Sequence, residues 1–279
     1  MNRSLETPAC RRLDRRSILV AVVLLFGWSA RAEASVFDLA RDWSNAGNPN
    51  GVWSYNAAPG VPLTTHFADY DPGRRFFASA QPAYAFQQFQ GRGHIPAFFL
   101  GVARPVDARD DLPAGRAYLH NNDPANSPSG FENQPAGITW TAPLDGDVEI
   151  QGGLWQVEQH LGRSQDWFLR LNGALLSGGV LTFANGTSAI PLDLATGSGG
   201  PGALRLAVSR GDVITLEFLR SRGEPFGTYM GVDLRFTLTE RTAIPEPTSV
   251  ALIGVGVGWM AWTLFARQLR RTHLPAVRG

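Results

Sequence analysis

Between residues 35 and 243 this chain predicts an all-β fold, a two-sheet sandwich of jelly-roll type. Three observations predict it. Gly and Pro recur every few residues, 31 and 19 of 279, and few stretches place apolar residues at i, i+3, i+4 and i+7, so helical signals are poor. Short runs of alternating apolar and polar residues, bounded by turn residues, are common instead. Asn172-Gly173 and Asn185-Gly186, strong short-range hairpin signals, follow such runs.

Taken in order, 36–40 starts a first strand. Trp53-Ser54-Tyr55 is a short strand after the Asn50-Gly51 turn, and the continuous apolar run 97–102 suits a buried strand. Residues 124–130 form a long loop rich in Pro, Asn and Ser. Strand 138–143 ends at Pro143, 144–147 is a turn, and 148–158 is a second strand with Gly152-Gly153 as a bulge. Run 167–171 alternates into Asn172-Gly173, and 181–184 repeats that pattern before Asn185-Gly186. Residues 204–208 and 213–219 flank a Ser209-Arg210-Gly211-Asp212 turn and read as a hairpin. The last strand, 229–239, puts Val232, Leu234, Phe236 and Leu238 on one face and Asp233, Arg235, Thr237 and Thr239 on the other. Period-two burial of this kind needs a second sheet to cover the apolar face. Seven or eight strands after residue 137 make the jelly roll the expected form, with the less regular first half joining the same sandwich rather than a second domain.

The two ends are of another kind. Arg11, Arg12, Arg15 and Arg16 precede an apolar core over 18–28, and Ala32-Glu33-Ala34 is a small-x-small cleavage site ahead of Ser35, the layout of a secretory signal peptide over 1–34. That core is too short for a comfortable span. Arg15-Arg16-Ser17-Ile18-Leu19 also fits a loose twin-arginine signal, with the general secretory route the plainer reading. Cys10 precedes the apolar core and so is not placed as a lipoprotein anchor. At the other end, Pro245-Glu246-Pro247 leads into 248–266, 19 residues without a charge, close to the roughly 20 that cross a bilayer core of about 30 Å as a helix. Arg267, Arg270 and Arg271 follow it, and no arginine immediately precedes it, which puts that end in the cytoplasm and the body outside. The two prolines stop a helix from running back into the body. Gly254 and Gly258 form a Gly-x-x-x-Gly pair able to pack two helices closely.

The Pro245-Glu246-Pro247 triad, the glycine-rich apolar stretch (Gly254, Gly256, Gly258) and the Arg267, Arg270, Arg271 cluster, in that order, resemble the PEP-CTERM sorting tail of bacterial exopolysaccharide producers. The resemblance implies that 244–271 is recognised by an exosortase, a membrane cysteine protease, and removed on delivery to the cell surface or matrix. Residues 272–279 extend past the point where family members usually stop; a plain single-pass anchor is the alternative. In the body, Trp140-Thr141-Ala142-Pro143, Asp145-Gly146-Asp147-Val148, Asn172-Gly173 and Arg210-Gly211-Asp212-Val213-Ile214 look like the β-sandwich domains of other exported proteins with this tail. The stretch from Asn48-Pro49-Asn50-Gly51 to Tyr55 resembles their opening, and Tyr118-Leu119-His120 a histidine-containing stretch ahead of their Trp strand. That likeness implies a fold and no activity.

Composition excludes several classes. The single cysteine leaves with the signal peptide, so the body has no disulfide and no thiol chemistry. All 25 basic residues are arginine, which excludes Schiff-base and lysine-base catalysis. Residues 35–243 hold 15 Arg against 20 Asp plus Glu, a net of −5 with no basic tract, so nucleic acid is not an expected partner.

No Gly-x-Ser-x-Gly elbow, His-Glu-x-x-His, phosphate-cradling loop or Cys pair is present, and no catalytic residue is assigned. Glu158 and His160 alternate along a strand and could pair as acid and base. Asp110 or Asp111 could pair with Glu132 across loops, as two carboxylates do in glycoside cleavage; solvated strand and loop charges are the plainer reading. Of eight Trp, five lie in the body: Trp43, Trp53, Trp140, Trp155 and Trp167. Trp53 and Tyr55 share a strand face beside Asn48 and Asn50 and, with His120, are candidates for stacking on a sugar; sandwich core is their other role, as it is for Trp140 and Trp155. Asp69-Tyr70-Asp71, Asn121-Asn122-Asp123 and Asp145-Gly146-Asp147 cluster oxygens as structural calcium loops do, and as ordinary turns do. His66, His94, His120 and His160 lack zinc-ligand spacing. The expectation is an exosortase-sorted surface or matrix protein, non-catalytic, with the membrane and exosortase as partners and exopolysaccharide as ligand. The alternatives are a polysaccharide hydrolase or lyase and an adhesive or structural matrix protein.

Overall fold

Apolar side chains at alternate positions fold the body into two antiparallel sheets packed face to face. The computed structural model describes residues 33–86, 95–127, 130–241 and six positions near the C-terminus. Its strands begin with β1 (Ala34–Asp38), β2 (Trp53–Ala58), β3 (Val61–Pro62), β4 (His66–Phe67) and β5 (Ala83–Ala85). They continue through β6 (Ala97–Leu100), β7 (Ala117–His120), β8 (Ala136–Thr141), β9 (Gly146–Gln156) and β10 (Gln165–Leu171). The last are β11 (Ala174–Leu181), β12 (Leu192–Asp193), β13 (Arg205–Val208), β14 (Val213–Arg220) and β15 (Tyr229–Glu240).

Among the described residues, the first sheet has nine strands in the order β12-β9-β15-β7-β6-β5-β4, with β1 beside the far half of β15 and β13 beside β9. The second has six, β11-β10-β14-β8-β2-β3. Strands from both halves of the chain share each sheet, since β2 pairs with β8 and β7 with β15. The core between the sheets takes Trp53, Tyr55 and Trp140 from one side and Val232, Leu234, Phe236 and Leu238 from the other. The Trp140 ring stacks on Phe236 with centroids 4.7 Å apart, which adds about 0.5–1.5 kcal/mol beyond the area buried. Asp233, Arg235, Thr237 and Thr239 point away from this core, as their alternation requires.

Three local expectations change. The pair β13 and β14 is not a hairpin: β13 joins β9 in the first sheet and β14 joins β8 and β10 in the second. The 209–212 turn is therefore a corner that carries the chain across the sandwich, as is 142–145 between β8 and β9. The two corners hold each other, Ala142 N donating to Asp212 O and Gly211 N to Ala142 O, both at 2.8 Å. Gly152 and Gly153 make no bulge against β15, whose register runs through them unbroken. They are needed for close packing, because a Cβ would lie 2.7 Å from Asp233 O at the first and from Pro191 at the second. Residues 182–184 do not start a strand; β11 ends at Leu181, and Asn185 folds back to accept from Thr182 N at 2.7 Å.

A second, smaller cluster lies on the outer face of the first sheet. Tyr70 and Phe77, from the loop between β4 and β5, pack there against Phe99, Tyr118, Trp155 and Tyr229 of the sheet.

The chain divides into two units, of which Arg31–Arg241 holds the sandwich. Of the other, Trp259, Met260, Trp262, Thr263, Leu264 and Arg267 are described, all helical. Among the described residues no helix is long and apolar enough to cross a membrane. The signal-peptide positions up to Ala32, His94, the Pro245-Glu246-Pro247 motif, most of 248–266, and Arg270 and Arg271 lie outside the described residues. Ala34 opens β1, so a cut after it removes one residue of that strand.

Candidate functional site

The candidates Trp53, Tyr55 and His120 do not form a platform. Alternation along β2 turns Trp53 and Tyr55 inward, where they are 1% and 0% exposed. Tyr55 is stacked under Trp43 at 4.3 Å. His120 ends β7 at 8% exposure, its Nδ1 2.8 Å from Asn121 O and its ring edge-on to Tyr229 at 4.6 Å. No sugar can lie on a ring whose faces are already covered, so the stacking role is withdrawn for all three. Trp140 and Trp155 are buried as well.

His120 does sit in a cluster of polar groups, where the ends of β7, β9 and β14 meet the starts of β10 and β15. Glu158, just past β9, accepts from Thr228 Oγ1 at 2.6 Å and Tyr229 N at 3.2 Å, with the Arg163 guanidinium 3.8 Å away. Gln156 Nε2 donates to Thr228 Oγ1 at 2.9 Å, and Asn121 receives Thr228 N at 3.0 Å while donating to Gln165 Oε1. Gln156 lies in one sheet and Gln165 in the other, so these amides pin the sheets together. Burial lowers the His120 pKa, against the pull of Glu158.

At the rim of this cluster Asp110 bridges to Glu158 as an isolated antiparallel pair. Its Oδ1 is buried 3.2 Å from His160 Nδ1, an ion-pair distance without hydrogen-bond alignment. Burial, then the Glu158 charge, raises the Asp110 carboxyl to about 6. Asp107, 4.0 Å from His160 Nε2, is held well below the usual carboxylate range by its hydrogen bonds from Arg109. The structure thus joins Asp110 to Glu158 and His160. Asp111 is taken by Ser188, whose amide donates at 2.6 Å, and Glu132 by Gly130 N at 2.8 Å. His160 stands in a single 3-10 turn, Gln159–Leu161, and not on the β9 face with Glu158. Chemically the rim offers one carboxyl that keeps its proton toward neutrality beside one imidazole. Both structural donors to Glu158 reach the same oxygen, Oε2.

The aspartates of the three acidic loops are engaged by protein donors. Asp69 is paired to Arg74 at 2.8 Å, Asp71 receives Phe76 N and Phe77 N, and Asp123 receives Ala125 N and Asn126 N. Asp145 receives Arg210 N at 2.6 Å, and Asp147 is paired to Arg241. Among the described residues no group of three His, Cys, Asp or Glu side chains is placed to hold a metal ion.

A feature missed at the sequence level is a groove of about 440 Å³ on the outer face of the second sheet. Its floor is two cross-strand rows set by register, Ser54, Thr139 and Thr215, then Asn56, Gly137 and Glu217. Asn56 Nδ2 donates to Thr139 Oγ1 at 2.7 Å, Ser54 Oγ to Asn56 Oδ1 at 2.8 Å, and the Thr139 and Thr215 hydroxyls lie 3.2 Å apart. Glu217, 6% exposed, is held by Arg170 Nε at 2.9 Å. The signal was the outward half of each strand's alternation, but which outward residues stand side by side is a matter of pairing. No protein-family model and no curated protein matches the chain.

Proposed function

We propose that this is an exported protein of the cell surface or extracellular matrix, sorted by an exosortase through residues 244–271. Its jelly-roll-like sandwich is non-catalytic and binds exopolysaccharide. One observation carries the reading: Pro245-Glu246-Pro247, an uncharged stretch of 19 residues and the Arg267, Arg270, Arg271 cluster follow one another in that order. Each part has its own physical role. The prolines end the body, the apolar stretch partitions into lipid, and the arginines stay on the cytoplasmic side. The 1–34 segment supplies export, with Ala32 and Ala34 flanking the cut. A lysine-free, thiol-free all-β body suits passive cargo outside the cell.

The test is a reporter active only outside the cytosol, fused just upstream of Pro245. Activity is expected, together with release of the body into the medium when 245–279 is deleted. A cytosolic reporter overturns the reading.

The hydrolase or lyase alternative is favoured by one observation, the Asp110 carboxyl beside His160 and Glu158. It predicts release of reducing ends or unsaturated products from polysaccharide, lost in Asp110→Asn and in Glu158→Gln. The proposed non-catalytic function predicts none from the wild type.

A further inference from the structure

We infer that the groove on the outer face of the second sheet is a saccharide site, and that its ligand is a short stretch of a neutral polysaccharide. The inference rests on the exopolysaccharide-binding part of the proposed function and assigns it a place and a ligand class. The groove's volume, about 440 Å³, falls within the roughly 300–1,000 Å³ typical of small-molecule sites. Prolines at positions 59, 62 and 135 contribute apolar C–H walls, and the floor is polar. Gly137 leaves the middle of the floor low between Asn56 and Glu217; a Cβ there would come within 3.1 Å of Leu216 O.

The floor groups keep spare hydrogen-bonding capacity. Asn56 uses one amide N–H on Thr139 and retains the second, and the Ser54 and Thr215 hydroxyls retain lone pairs. Evenly spaced donors and acceptors that are already chained to one another are pre-oriented for vicinal hydroxyls. Charge selects among ligands. Glu217 is the one ionisable side chain lining the groove, and Arg170 already neutralises it. An anionic sugar would meet that carboxylate without a free cation to receive it, whereas a neutral hydroxylated chain meets no unpaired charge.

The experiment is affinity electrophoresis of the full-length chain in neutral detergent, through gels containing a mixed-linkage glucan, a galactomannan, or the anionic polyuronate alginate. Retardation is expected in at least one neutral gel. Thr139→Arg, which fills the groove, should weaken it tenfold or more. Thr139→Val removes one hydroxyl and keeps the shape, so it should weaken retardation about three- to tenfold and serves should the arginine variant melt early. Gln151→Ala, exposed on the other sheet, should bind as wild type. Wild-type retardation in both Thr139 variants overturns the groove while leaving exopolysaccharide binding intact. Retardation by alginate alone overturns the neutral ligand class. Failure in every gel removes the inference and the binding half of the proposed function, and the reporter fusion still judges export. Light scattering that shows a dimer split by Thr139→Arg assigns the groove to a second copy of the chain and overturns the sugar.

Discussion

The Trp155 indole rests over Gly231, its partner across the β9–β15 ladder, so closely that a Cβ on Gly231 would sit 1.9 Å from indole Cε2. The ring is held there by a hydrogen bond from Nε1 to Asp111 O at 3.1 Å and by Tyr118, edge-on at 5.7 Å. The contact belongs to the cluster in which the loop between β4 and β5 packs on the first sheet's outer face. Gly231→Ala forces the indole out of place and should cost about 1–3 kcal/mol or more, read as a lower urea midpoint. Adding Trp155→Leu should restore part of the loss; an unchanged midpoint in the single variant would contradict the contact.

Trp53 belongs to the core, and its truncation should behave accordingly. Trp53→Ala should destabilise the body by about 3–5 kcal/mol, with Trp53→Phe costing much less. Polysaccharide retention measured below the melting point of Trp53→Phe should equal that of the wild type. Loss of retention without loss of stability would return the residue to the surface.

Asp110 gives stability a pH dependence of stated sign. Its pKa is raised from 3.8 to about 6 by burial and by Glu158, so the folded chain holds this proton more tightly than the unfolded chain does. The contribution is complete below about pH 4 and lost as the pH rises through about 6. Asp107 opposes ionisation, and Arg109 and His160 favour it. Asp110→Asn cannot ionise. Its melting temperature should therefore gain on that of the wild type between pH 4 and 7, and a gap that stays constant would rule the effect out.

The β10–β11 hairpin turns through Asn172 at φ 48° and Gly173 at φ 82°. Placing a Cβ at φ near +80° costs about 1–2 kcal/mol. Gly173→Ala should lower stability by that amount, and amide exchange should rise first in β11, the edge strand. Uniform exchange across both sheets would argue against a local effect.

Much of this fold was legible in the residues because alternation is a property of one strand. A backbone that points successive side chains to opposite sides places Phe236 inside and Arg235 outside wherever the strand pairs. Turn chemistry was equally local, and Asn172-Gly173 makes its hairpin. The same alternation put Trp53 and Tyr55 on one strand face, but only the packing of the two sheets made that face core and not a sugar platform. The hairpin expected at 209–212 is a corner between sheets, because the sequence of a turn does not say whether its two strands pair with each other or with strands far along the chain. The placing of Asp110 beside Glu158 and His160 and the Ser54–Thr139–Thr215 row were likewise out of reach, since each needs long-range pairing.

Local chemistry, then, was enough for an all-β body and for the inward and outward sets of its last strand, and it is what the proposed export signal and sorting tail rest on. Sheet membership, register and the groups that share a groove came from folding. The reason is that hydrogen bonds between strands and burial between sheets are free energies of the whole assembly, minimised jointly over segments as distant as Ser54 and Thr215.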